Sequence, residues 1–238
     1  MRYSIITTLS ALLLLSACRP SSPAQDKPSA ESSTSVKKQN IIRKHVNIPS
    51  NFSYITNLGC IDIIYTQGDY SIEVEGDSTT LNYLDTTFDS NLLVVSLQTD
   101  RNTDANVYGH TSNVKMYVSC PDLQCVSICG NGGFESPSTW RTENLQLGVL
   151  GSGKLKTGKI ECTTFSLQSS QTGSIDIGEL HAEDASLYSM SDANINMNVY
   201  VNDLTILNEG KQHLHLTGKA TSTHIKNPND PNLINEID

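Results

Sequence analysis

Positive charge is scarce in this chain of 238 residues: 16 Lys and Arg stand against 25 Asp and Glu. That balance argues against a nucleic-acid partner, because such binding draws on clustered Lys and Arg that displace counterions from phosphates. Helix signals are nearly absent, with Thr79 to Thr86 the one stretch that reads as a helical turn. Long apolar runs are also missing. The exception, Ile5 to Leu15, is too short to span a bilayer. Cysteines are present, but Cys125 and Cys129 are not spaced as a zinc or redox pair, and no nearby His completes a tetrahedral set. No Ser-His-Asp or Cys-His arrangement can be read from spacing, and no catalytic residue, metal site or cofactor is expected.

What the chain does have begins at its first residues. Arg2 precedes the apolar run, and Ser16 and Ala17 lead into Cys18, the pattern of a secretory signal. The tetrad Leu15-Ser16-Ala17-Cys18 resembles the lipobox of bacterial lipoproteins. The resemblance implies cleavage before Cys18 and attachment of acyl chains such as palmitate, and several chains anchor a protein stably. Loss of residues 1–17 removes only Arg2, so the formal charge goes from 16 − 25 = −9 to 15 − 25 = −10. Residues 18–44 are rich in Ser, Pro, Ala and Lys and cannot bury enough surface to offset their ordering entropy, so they read as a flexible tether.

From residue 145 the chain repeats. Units 145–164 and 165–184 are 20 residues long, 185–203 is one shorter, and a fourth starts at 204. Apolar residues fall into columns: Leu145, Phe165, Ala185, Leu204; Leu147, Leu167, Leu187, Ile206; Leu155, Ile175, Ile195, Leu214; and Ile160, Leu180, Val199. The missing residue is placed near Gly178. Apolar and polar residues alternate with the period of two that belongs to strands. A short repeat of alternating segments punctuated by Gly, Asn, Asp and Ser predicts an all-β, single-domain, right-handed parallel β-solenoid with coils of about 20 residues, its core continuous from coil to coil.

This frame accounts for the stretch Gly148-Val-Leu-Gly-Ser-Gly-Lys-Leu155, one residue away from the phosphate-loop pattern. Leu155 stands where the metal-binding Ser or Thr belongs, and Leu155 heads a core column. The glycines therefore read as a bend. Residues 60–65, 70–76, 92–97, 114–120 and a coil from Leu123 read as earlier strands that start the solenoid, with Trp140 in the column of Ile160. The tail from about 227, with Pro228 and Pro231, reads as a blunt cap over the last coil. The domain is thus expected over 45–238.

Tyr65-Thr66-Gln67-Gly68-Asp69, Val74-Glu75-Gly76-Asp77, Leu81-Asn82-Tyr83-Leu84 and Gly151-Ser152-Gly153-Lys154-Leu155 resemble the auto-transporter adhesin head, or GIN, domain family. The resemblance spans most of 46–222 and implies a secreted or lipid-anchored β-solenoid of Gram-negative bacteria. It supplies no catalytic residues.

Residues beside the inward column form two outward ladders: Lys154, Ser174, Asn194, His213, and Lys156, Asp176, Asn196, His215. These are the candidate binding surface, with an ion pair expected between Lys156 and Asp176. His213 and His215 share one strand face, but two ligands do not make a metal site. The expected role is a non-catalytic binding or adhesion module, anchored by Cys18 to the outer membrane and facing the cell surface or the periplasm. The partner would be a glycan, a protein, or another copy through the solenoid ends. The alternatives are a structural periplasmic envelope protein and a carbohydrate-active β-helix enzyme.

Overall fold

Side-chain alternation organises every strand of the computed structural model. It describes residues 40–97, 113–190, 192–211, 213–227 and 231–238, all within the unit Gln39–Asp238. Cys18 and most of the tether lie outside the described residues. The first strands are β1 (Ile41–His45), β2 (Tyr54–Asn57), β3 (Asp62–Gln67) and β4 (Ser71–Asp77), followed by a 3-10 turn at Thr80–Tyr83, where the sequence places its one helical signal. Then come β5 (Leu84–Asp89), β6 (Leu92–Leu97), β7 (Lys115–Cys120), β8 (Cys125–Ile128), β9 (Gly133–Ser136) and β10 (Trp140–Arg141). The repeat region supplies β11 (Asn144–Val149), β12 (Lys154–Glu161), β13 (Thr164–Ser169), β14 (Ser174–Ser189), β15 (Asn194–Asn208), β16 (Leu214–Ile225) and β17 (Leu233–Ile237).

These strands stack as a β-solenoid. One side is built from β6, β2, β8, β11, β13 and the later parts of β14, β15 and β16, all in parallel register. A second side carries β7, β3, β9 and the early parts of β12, β14, β15 and β16, ending in β17. A short third side joins them, starting with β10 against Ile160 and Glu161. The columns read from sequence hold residue for residue: Leu155 pairs with Ile175, Ile175 with Ile195, and Ile195 with Leu214, all buried. The register slips between Ile177 and Leu180, where Gly178 and Glu179 face the single Asn198, as the 19-residue unit requires.

One expectation holds with an addition and one needs correction. The early strands do form the first coils, but not in chain order: the β2–β3 coil lies between the β6–β7 coil and the β8–β9 coil. The chain reverses at β4, which runs antiparallel to β7, and again in the β5–β6 hairpin, whose bend has Ser90 at φ 56°. Both edges of β2 and β3 are thereby used. The tail is not a blunt cap. Leu233 continues the Leu214 column, so β17 adds one more parallel strand to the second side.

At the bend between the first two sides the coils approach closely. A Cβ on Gly153 would sit 2.2 Å from the Gly132 carbonyl oxygen, and one on Gly173 2.5 Å from that of Gly153. Only hydrogen fits at such a separation. The same bend buries polar side chains that tie it down: Asn57 Nδ2 donates to the Ile61 carbonyl at 2.7 Å, and Ser169 and Ser189, further along its column, face each other at 2.9 Å. Trp140 fills the opposite corner, its Nε1 donating to the Leu123 carbonyl at 2.9 Å and its ring 5.1 Å from that of Tyr65 and 5.6 Å from that of Phe134. It is packing, as its column indicates.

Two substitutions test this account. Gly153→Ala forces the backbone of two coils apart and is expected to cost about 1–3 kcal/mol in denaturant unfolding; an unchanged midpoint contradicts the close approach. Thr157 buries a hydroxyl that has no hydrogen-bond partner among the described residues. Thr157→Val is therefore expected to raise stability by about 1 kcal/mol, and a loss of stability contradicts that assignment.

Candidate functional site

Outward positions of a solenoid are free of packing duty, so their chemistry is the place to look for function. Beside the inward Leu145, Phe165, Ala185, Leu204 column on the first side stand Asn144, Thr164, Asp184 and Asp203, one per strand and in register. Two residues on stand Gln146, Ser166, Ser186 and Thr205, again in register. The two rows line a shallow groove of about 460 Å³. A second groove of about 540 Å³ shares Thr205 and continues past Thr223 and His224 to Lys226. The two form one trough across five strands, about 19 Å long at the usual strand spacing.

The outward rows of the trough are hydroxyl, amide and carboxylate in character, while Leu145, Phe165, Ile206 and Leu207 add apolar surface to the lining. Thr164 Oγ1 donates to Asn144 Oδ1 at 2.6 Å, which fixes the start of the row. Asp184 and Asp203 occupy neighbouring strands, and neither belongs to an ion pair among the described residues. Two adjacent carboxylates without a cation raise the local negative potential and offer strong acceptors for O–H and N–H donors. At the far end Lys226 Nζ forms an ion pair with Glu209 Oε1 at 2.9 Å.

The ladders singled out in the sequence lie elsewhere, on the second side. Lys154, Ser174 and Asn194 are exposed register neighbours, as are Lys156, Asp176 and Asn196, with His213 and His215 at the end. Lys156 and Asp176 pair in register but do not form the expected ion pair. Neighbouring strands put their backbones side by side, while a long Lys side chain loses little by staying in water. His215 Nε2 instead faces Glu236 Oε2 on β17 at 3.5 Å. A cluster of ion pairs forms on the third side, where Glu161 meets Lys159 at 2.8 Å and Arg141 at 2.7 Å. Its carboxyl is held below the usual range, chiefly by the hydrogen bond from Lys159 and then by Arg141. Farther along that side the rings of His181 and Tyr200 stack at 4.8 Å.

The trough residues flank the very columns that define the repeat, so the sequence contained their positions. Alternation tells inside from outside, but not which outer face is concave. Four of the thiols are poor nucleophiles: burial pushes Cys120 up to about 12 and Cys162 up to about 11, and also raises Cys125 and Cys129. A nucleophilic thiol needs a shift in the other direction.

A parallel β-stack with glycine bends, a hydroxyl-lined flank and no assembled nucleophile among the described residues defines a scaffold of the adhesin-head kind. The chain belongs to the family described as "Putative auto-transporter adhesin, head GIN domain", whose family model matches residues 51–178. Solved structures share the fold. A "putative adhesin" from Bacteroides fragilis is 17% identical, with 78% of this chain and 92% of that chain covered at a TM-score of 0.61. Another from Parabacteroides distasonis is 15% identical, with 84% and 96% covered at 0.56. A "putative lipid binding protein" from Parabacteroides distasonis is 18% identical, with 78% and 93% covered at 0.50. No curated protein sequence matches the chain.

Proposed function

We propose that this protein is a non-catalytic binding module of the bacterial cell envelope, anchored to the outer membrane through acyl chains on Cys18, and that its trough holds a hydroxyl-rich ligand, a glycan. The observation that carries the reading is the trough itself: two registered rows of Asn, Gln, Thr and Ser around Asp184 and Asp203, open along its length. Neutral amides and hydroxyls can both donate to and accept from sugar hydroxyls, and the two carboxylates accept from them. A rigid sheet holds these groups at fixed spacing, which lowers the ordering cost of binding. The family's adhesin description agrees with a recognition role. The ladders of Lys154, Lys156, Ser174, Asp176, Asn194, Asn196, His213 and His215 are the alternative contact surface, suited to a protein partner because they are exposed and mixed in charge.

The test is binding of the purified full chain, in mild detergent, to an array of host and microbial glycans. Ser166→Arg and Ser186→Arg fill the trough and are expected to weaken a saturable hit at least about tenfold, the scale of a lost pair of hydrogen bonds. Lys154→Ala with His213→Ala leaves it unchanged. Loss in the ladder variant and retention in the trough variants overturns the site; a blank array overturns the glycan. For the anchor, Cys18→Ser is expected to move the protein from the membrane fraction to the soluble fraction, and an unchanged distribution contradicts lipidation.

A further inference from the structure

The two edge strands of the second side differ in charge: β1 carries Arg43 and Lys44, with Arg43 and His45 both held by Glu73 of β4, while β17 carries Glu236, which faces His215 of β16. At one end β1 pairs with β4 along a single edge, and at the other β17 pairs with β16 along a single edge. Neither strand pairs with another among the described residues. An unpaired edge is a template for strand addition unless something covers it. β1 reads Ile-Ile-Arg-Lys-His, and the last strand continues through Glu236 to Asp238.

Strand direction fits as well. β1 runs antiparallel to β4, and β4 antiparallel to β7, so β1 points the same way as β7. From β7 to β17 the second side is parallel throughout. A second copy stacked along the axis in the same orientation therefore brings its β17 to β1 as a parallel pair, the pairing that builds the rest of the side.

Side-chain direction fixes the register. Arg43 pairs with Glu73 and lies 4.4 Å over the Tyr117 ring, which puts Ile41, Arg43 and His45 on the outer face. On β17 Leu233 continues an inward column, so Ile234 and Glu236 face outward. Setting Ile41 against Ile234 then sets Arg43 against Glu236 and His45 against Asp238. The two isoleucines are among the most exposed large apolar residues, at 49% and 48%. On the first side only β5 lies beyond β6, whereas the second side carries both β4 and β1 beyond β7. The first side therefore ends one strand short at this end, so the contact is addition of a strand and not a flush stacking of whole coils.

We propose that copies of this chain associate head to tail, β17 of one copy adding to β1 of the next. The contact is heterologous and does not close, so it builds open chains. Such chains align successive troughs, and linked weak sites gain avidity.

The test is analytical ultracentrifugation of the full chain in mild detergent over about a hundredfold range of concentration. The average mass is expected to climb with concentration past the dimer and to fall back in high salt. Ile41→Lys blocks the head and Ile234→Lys the tail, so each variant alone stays monomeric, while an equimolar mixture forms dimers and stops there. Glu236→Lys repeats the tail block by charge alone, and circular dichroism checks that all three variants keep the strand signal. A wild-type chain that stays monomeric overturns the proposal. So do single variants that still assemble, which puts the contact elsewhere, or a mixture that stays monomeric.

Discussion

Coil-to-coil spacing at the glycine bend is the constraint on which this structure rests. Strands in register need a near-constant separation along their whole length, and the bend is where an added methyl group would break it. Gly132, Gly153 and Gly173 let successive backbones meet there, whereas Ala193 carries a methyl at the equivalent place in the next coil, so the tightest approach is confined to the coils before it. Once the bend is held, Leu155, Ile175, Ile195 and Leu214 stack in one line, and each coil buries the face of its neighbour. No coil has a core of its own, so stability is a sum of nearest-neighbour contacts.

The near match to a phosphate loop follows from that constraint. A glycine pair two residues apart is what close stacking needs, and the Lys that follows is the first outward residue of β12. Chemistry that looks like a nucleotide site in one coil dissolves when the coils are aligned. Function on such a scaffold belongs to outward positions, which change without disturbing the stack, and here one flank has collected hydroxyls, amides and two carboxylates.

The columns from Leu145 onward were legible because the unit length hardly varies, so sequence position translates directly into register. The single irregularity at Gly178 was legible for the same reason. The order of the early coils was not: β2 pairs with β6 and β8, and β3 with β7 and β9, and no local pattern states which edges of a strand are taken. The tail misled because its prolines suggested a stop, while Leu233 in the Leu214 column decided its pairing. The flanks of the trough lay in plain view as alternating polar residues, but concavity comes from the turn of the sheet and has no signature in alternation.

Native-state amide hydrogen exchange tests the central claim most directly, because coils stabilised only by their neighbours open from the ends. The account predicts slowest exchange in the middle of the stack, at β8, β11, β12 and β13, with protection falling toward β1 and β5 at one end and β17 at the other. Exchange at Leu147, Leu155 and Leu167 as fast as at Ile41 and Ile234 would contradict it.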